Sequence, residues 1–358
     1  MTPPKKRAEK QPIALPIKSP QYDLFSQFVT NDESEVSNTV EVWEGIPKYF
    51  FTPRQVEKLR TATGHADPYK WAYTYNGIPC AVKIQPALIE QEDGSYKAFF
   101  PSVTEELIEE VLKKILANQR YGLHDPSNVE TWVRFSLSMI QRELHTRGRT
   151  RNRPQIKHAI EVMANSVLTL YKDDKEVWKG SILQDFVTVS RDEYLSDTDA
   201  QHIARLPLFI SHAINQLEYR QFNYDRLMSC DEQLTRWLYK QFIHRFRQAS
   251  FMNDYHFMYS NLERDSGLLQ QSRSNDNRRK VQAALDELVS RSVLISYDAE
   301  LQKEGRKIVD VKYTVRPHPN FVGEQKAANK RVRDDHMQAL QAGVMLQQSR
   351  AGQRRSCG

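Results

Sequence analysis

The chain has 358 residues, 39% hydrophobic and 27% charged, with 51 Lys and Arg against 45 Asp and Glu for a net charge of +6. That length suits two domains, each able to bury a core, and charges of both signs mean that the basic excess has to be located before it points to a partner. Cys80, Cys230 and Cys357 are odd in number and far apart, which argues against a disulfide framework or a paired-cysteine zinc site and suits a reducing cytoplasm.

No apolar run approaches the roughly 20 residues that a membrane span needs, so no membrane partner is expected. The start, MTPPKKRAEKQP, lacks the apolar core of a signal peptide. Residues 1–45 are expected to form a flexible arm, because their first twenty are rich in Pro, Lys and polar residues and hold too little apolar surface to offset ordering entropy. The arm carries Gln21-Tyr22-Asp23-Leu24-Phe25, in which Leu24 and Phe25 can fill an apolar pocket while Gln21 makes side-chain hydrogen bonds. Beyond it, YTYNGIPCAVKIQPALIEQEDGSYKAFF reads as short strands with turns at Asn76-Gly77 and at Glu92-Asp93-Gly94.

Residues 46–190 are predicted to form a first winged-helix domain. Ser102 and Glu105 make a capping-box pair ahead of a helix whose Leu107, Ile108, Val111, Leu112, Ile115 and Leu116 recur at helical spacing. Its acidic residues (Glu105, Glu106, Glu109, Glu110) precede Lys113 and Lys114, which suits the helix dipole. A strand and helix in WVRFSLSMIQREL lead to the basic turn HTRGRTRNRP, after which Pro154 is placed at the first position of a helix. In that helix Ile156, Ile160, Met163, Val167 and Leu170 line one face, leaving Gln155, Lys157 and His158 on others, as a recognition helix requires. A hairpin with its tip near Asp173 to Lys175 would be the wing.

Residues 191–320 repeat the plan as a second winged-helix domain. Ser229 and Glu232 echo the capping box ahead of Leu234, Trp237, Leu238, Phe242 and Phe246. The turn SRSNDNRRK then leads to a helix that Asn275 or Asn277 can cap and whose buried face is Val281, Ala284, Leu285 and Leu288. In the return strand of its wing Val309, Val311, Tyr313 and Val315 alternate with polar residues across the turn QKEGRK. Residues 321–358 read as a basic tail, disordered or partly helical, with apolar residues too sparse for a core. The expected fold class is therefore α+β: two tandem winged-helix domains between a flexible arm and a basic tail.

Arginines just before a helix sit beside N–H groups that hold phosphate, and Arg binds phosphate or guanine with two parallel hydrogen bonds. The candidate DNA contacts are thus Arg147, Arg149, Arg151, Arg153, Gln155, Lys157 and His158 in the first unit, and Arg273, Asn275, Asn277, Arg278, Arg279, Lys280, Gln282, Arg306 and Lys307 in the second. Catalysis is not expected. Among ten histidines the closest pair is His202 and His212, so the metal-binding pair of rolling-circle nucleases is missing, and neither GxxxxGK[ST] nor HExxH occurs. Neither a metal nor a cofactor is implied.

The order of elements from about Tyr69 to Pro317, including LFISHAINQLEYRQFNYDRLMSCDEQLTRWLYKQF, resembles the plasmid replication initiators that carry two winged-helix domains and start theta-type replication at repeats called iterons. Gln21 to Phe25, with Asp23 third, resembles the Gln-x-Asp/Ser-Leu-Phe motif by which bacterial replication proteins bind the sliding clamp. The resemblance implies binding of origin repeats in duplex DNA, opening of an adjacent AT-rich segment, and recruitment of host initiator, replicative helicase and clamp. It also implies a homodimer through the first winged domain that restrains copy number. The basic tail after Pro319 departs from the family. The alternatives are a tandem winged-helix transcriptional repressor and a partition or packaging protein.

Overall fold

The computed structural model describes residues 35–118, 121–187, 202–248, 250 and 252–341. The motif residues Gln21, Asp23, Leu24 and Phe25 lie outside them. Within the expected arm, however, residues 36–45 are part of the fold. Strand β1 (Val36–Thr39) pairs antiparallel with a strand far along the chain, Val36 opposite Asn223, and helix α1 (Glu41–Glu44) places Trp43 in the core with no exposed surface. Sequence composition at the extreme terminus said nothing of this, because the pairing partner is remote.

A short helix α2 (Pro53–Leu59), opened by a Thr52–Gln55 capping box, leads to β2 (Tyr69–Tyr75) and β3 (Ile78–Gln85). Asn76 and Gly77, both at positive φ, make the turn between these strands. A small hairpin, β4 (Ala87–Glu90) and β5 (Tyr96–Phe99), precedes α3 (Val103–Leu116). The first winged unit then runs through β6 (Gly122–Asp125), β7 (Glu130–Phe135), α4 (Leu137–Thr146), α5 (Arg153–Asn165), β8 (Val167–Lys172) and β9 (Lys175–Ser181). Its hairpin is more than a wing: β8 also pairs with β3, giving a sheet of order β2-β3-β8-β9. A second sheet has the order β10-β11-β7-β6, with β10 (Gln184–Val187) and β11 (His202–Arg205). The first unit therefore reaches past residue 190, since β11 pairs with β7 (Ala204 opposite Val133).

The link to the second unit is α6 (Leu208–Asn215), β12 (Arg220–Asn223), which is the partner of β1, and α7 (Tyr224–Ser229). The second unit has the winged-helix order itself: α8 (Gln233–Arg245), β13 (Tyr255–Met258), α9 (Tyr259–Ser266), α10 (Ser274–Ser290), β14 (Leu294–Glu304) and β15 (Lys307–Pro317). The fold is thus α+β with two winged-helix units. Ser229, expected to cap the first helix of the second unit, is instead the last residue of α7 and donates to the Arg226 carbonyl at 2.8 Å. Cap duty at α8 falls to Glu287 from α10, whose carboxylate accepts from Asp231 N at 2.6 Å and from Thr235 Oγ1 at 2.6 Å. The capping box was a local pattern overruled by a long-range one.

The expected basic tail is in good part a folded helix, α11 (Pro319–Gln341). Few apolar residues suffice because they converge: Phe321 and Val322 are buried, and Phe321 packs its ring against Tyr239 and Phe246, each 6.1 Å away. Polar contacts complete the dock, with Arg220 donating to Gln325 (2.8 Å) and Asn329 (3.0 Å), and Arg226 paired with Glu324 at 2.6 Å. No helix of the described residues is long and apolar enough to cross a membrane.

Between the two units lies a buried set of charges. Helix α3 turns its apolar stripe to the first core and its charged face to α1 and α8. Lys240 of α8 reaches Glu110 at 2.6 Å and Glu44 at 2.9 Å, while Arg236, one turn earlier, reaches Glu106 at 3.1 Å. Lys113 bonds Glu110 at 2.7 Å and also Glu44. Glu109 accepts from the Trp43 indole and from the Tyr49 hydroxyl at 2.8 Å. Burial alone would raise the Glu44 pKa, but Lys113, Lys240 and Lys48 around it hold it well below the usual carboxylate range. All these side chains are less than a tenth exposed.

Removing one partner leaves the others buried and uncompensated. Lys240→Met is expected to cost about 3–5 kcal/mol in chemical denaturation. A second expectation concerns acid. Burial pushes His124 down to about 4 and His244 down to about 3, so both stay neutral in the fold while the unfolded chain takes up their protons near the ordinary histidine pKa. Stability should therefore fall as pH drops below about 6.5, at up to about 1.4 kcal/mol per pH unit for each histidine. His124→Asn should flatten that slope between pH 6.5 and 4 in a series of denaturant melts.

Candidate nucleic-acid interface

The second unit presents the clearer face. After α9 the chain turns at Gly267, whose φ is +66 and where a Cβ would meet the Phe50 ring at 2.9 Å, so both conformation and space require glycine. The turn is fastened by Asn277, which is buried. Its carbonyl accepts from Gln271 N at 3.0 Å and its amide donates to the Leu269 carbonyl at 3.2 Å. Lys280 donates to the Leu268 carbonyl at 3.1 Å, and its burial lowers its pKa. Asn277 is buried and Lys280 half-buried, so two of the residues expected to meet DNA brace the helix-turn-helix. The reason is helical phase: positions 277, 280, 281 and 284 fall on the inner side of α10.

On the outer side stand Asn275, Arg279 and Gln282, at the i, i+4, i+7 spacing that makes one stripe. Arg279 is 73% exposed, with Asp276 as a partner at 3.8 Å. Arg273, at the N-cap, is exposed, and the half-buried Arg278 donates to Ser274 at 2.9 Å. Helix α10 ends against the wing, where the Tyr297 hydroxyl donates to Asp286 at 2.8 Å. In β15 the expected alternation holds within the body: Val311, Tyr313 and Val315 are buried. Val309 is 44% exposed, because β13 pairs only with residues 312–315 and the hairpin continues past it as a two-stranded ribbon. Its tip is Gly305-Arg306, with Glu304 opposite Lys307, and Lys303, Arg306 and Lys307 are all exposed. Lys303 was missed from the sequence; its adjacency to the tip was the available signal.

In the first unit Asn152 caps α5 through a reciprocal pair with Gln155: Asn152 Oδ1 accepts from Gln155 N at 2.9 Å and Gln155 Oε1 from Asn152 N at 3.0 Å. Pro154 is the second helical residue, not the first. Arg153, Gln155 and Lys157 are exposed; Arg153 donates to Ser138 at 3.2 Å and Lys157 lies 3.7 Å from Glu161. His158 is half-buried with its ring edge-on to Phe99 at 4.4 Å, beside the β4–β5 hairpin. The wing tip mixes Lys172 and Lys175 with Asp173, Asp174 and Glu176.

The arginine turn itself divides. Arg147 pairs with Asp225 at 2.9 Å and lies over the Tyr224 ring at 5.5 Å. Arg149 donates to the carbonyls of Met228, at 3.1 Å, and Cys230, with Asp231 at 3.5 Å. Arg151 donates to Thr104 at 3.3 Å and to the Thr150 carbonyl at 2.7 Å. Arg147 and Arg149, with 14% and 19% of their side chains exposed, fasten the first helix-turn-helix to the segment leading into α8. They are corrected from DNA contacts to joints between the units. A basic run reads the same in sequence whether its partner is phosphate or an acid of the other domain.

Among the described residues no group of three or more His, Cys, Asp or Glu is placed to hold a metal. What the exposed face offers is hydrogen bonding: amides that match adenine, guanidinium groups that match guanine or phosphate, and a cationic ribbon.

No protein-family model matches the chain, and no curated protein matches it. Among solved structures it is similar to domains 2 and 3 of RctB, in one crystal structure at 13% identity over 77% of this chain and 97% of that one, with a TM-score of 0.47. A second structure of RctB domains 2–3 gives 14%, 75%, 97% and 0.44. The Pi initiator protein in complex with iteron DNA gives 11% identity over 80% of this chain and 99% of that one, with a TM-score of 0.39. Identities and scores this low leave the functional case to the residues of the chain itself.

Arg279→Ala is expected to lower the salt dependence of duplex binding by about 0.9 in the log–log slope while leaving the denaturation midpoint unchanged. Arg149→Ala should do the reverse, costing about 1–3 kcal/mol of stability through the stranded carbonyls with little change in slope. Salt titrations and urea melts on the two variants separate the roles.

Proposed function

We propose that this chain initiates plasmid replication by gripping repeated origin sites in duplex DNA with two winged-helix units and bringing the host replication machinery to them. It is a binding protein rather than a catalyst, and it acts on DNA in the cytoplasm. The observation that carries the reading is the stripe Asn275, Arg279 and Gln282 on α10 together with the free ribbon bearing Lys303, Arg306 and Lys307. A helix of that kind suits a major groove and a cationic ribbon suits the flanking phosphates.

The units divide the work unequally. With Arg147 and Arg149 engaged inside the protein and acids at its wing tip, the first unit offers exposed Arg153, Gln155 and Lys157, a smaller cationic face than that of the second. The second unit therefore supplies most of the affinity, and the first fixes orientation. The buried charge network joins them, so the two recognition helices address one composite site of fixed spacing. This supports repeats that each hold one molecule along a defined direction, as an origin array would.

Recruitment rests on Gln21 to Phe25. Burying Leu24 and Phe25 in a clamp pocket is worth roughly 3–6 kcal/mol before ordering costs, so a micromolar or weaker contact is expected. Opening of an AT-rich segment, contacts to host initiator and helicase, and a dimer through the first unit belong to the same proposal.

Two measurements test it. Purified sliding clamp should be retained by the full chain and lost with Leu24→Ala/Phe25→Ala; retention by both forms would remove the clamp from the proposal. Footprints on DNA with the two halves of a bound site moved apart by about 5 base pairs, half a helical turn, should lose protection. Unchanged protection would mean the units bind independently.

A further inference from the structure

A cleft of about 570 Å³ opens where the first unit's β2–β3 turn faces the second unit. That size is within the range of small-molecule sites, which favour domain junctions. One wall is aromatic: Phe242 packs against Tyr255 at 5.9 Å and Phe257 at 6.2 Å, with Trp237 alongside. The Trp237 indole N–H is buried, and among the described residues it has no hydrogen-bond partner. A donor in that condition costs free energy unless an acceptor arrives. The mouth is cationic. Arg245 donates only to Gln241, at 3.2 Å, and neither it nor Lys312 joins an ion pair among the described residues. The carboxylate in the cleft, Asp265, is engaged by Arg264 at 2.6 Å and by Thr74 N at 2.8 Å, so it does not cancel those charges.

We infer that this cleft binds a nucleoside phosphate. Flat aromatic walls suit a base, the indole N–H suits a ring nitrogen or carbonyl oxygen, and Arg245 with Lys312 suits the phosphate. The site is distinct from the duplex-binding face on the outer side of α10. It is connected to it through α9, the first helix of the second helix-turn-helix, which Trp71 also holds by donating to the Arg264 carbonyl at 2.7 Å. A ligand spanning the Asn76-Gly77 turn and α9 would tighten the joint between the units. The nucleotide can be free or part of an unpaired strand, since both present a base and a phosphate.

The test is calorimetric titration of the full chain with ADP, adenosine, inorganic phosphate and a single-stranded oligonucleotide. ADP should bind saturably, and adenosine about 10-fold or more weakly for want of the charged contacts. Arg245→Gln should weaken ADP by about 10-fold, and Trp237→Phe by about 3- to 10-fold, with unliganded melting temperatures like that of the parent. An oligonucleotide that displaces ADP and is weakened by the same substitutions identifies an unpaired strand as the source; one that does not displace it identifies the free nucleotide. Absence of saturable binding by both, or binding indifferent to both substitutions, overturns the inference. Duplex affinity, read separately through Arg279→Ala, stands or falls independently.

Discussion

The two winged units hold their relation through charges taken out of water. Glu44, Glu106 and Glu110 face Lys113, Arg236 and Lys240 across the contact of α3 with α1 and α8, and each ion is bonded to more than one partner or to a well-placed one. Such a contact differs from an apolar one in its tolerance of error. Apolar surfaces slide with little loss, whereas a displaced ion pair in a buried site forfeits its compensation and keeps its desolvation cost. The spacing Arg236 and Lys240 on one helix against Glu106 and Glu110 on the other fixes register turn by turn.

Much of the remaining architecture depends on that junction. Glu287 caps α8 from α10, so the first and third helices of the second unit share a bond network. Arg147 and Arg149 tie the first helix-turn-helix to the entry of α8, and α11 ties the far end of the chain back to β12 and α7. The protein is thereby organised less as two beads than as two winged units set in one frame. In such a frame the cost of orienting one unit relative to the other is met during folding rather than on binding a partner.

Sequence and structure agree where chemistry is local. Helical spacing identified the core faces of α3 and α10, and alternation in β15 identified Val311, Tyr313 and Val315. In α5 it identified Ile156, Ile160 and Met163, but Val167 and Leu170, counted on the same face, lie in β8 because the helix ends at Asn165. They part where one residue type has two uses. Asn277 was read as a cap or a base contact and is a buried brace; Arg147 and Arg149 were read as phosphate contacts and are joints; Ser229 was read as a cap and ends the helix before. In each case the deciding partner lies elsewhere in the fold or on the far side of a helix.

By itself the sequence determined the two helix-turn-helix and hairpin repeats, the start signal at Ser102, and a pentapeptide at Gln21 whose use is local to itself. Periodicity and turn chemistry act within a few residues, so they are legible without a fold. Only the tertiary structure decided which charges are free: the acidic face of α3 is an internal surface, the tail helix docks with few apolar residues, and the outward stripe narrows to Asn275, Arg279 and Gln282. A charge shows its type in the sequence, but its partner is chosen by proximity, which only the folded chain creates.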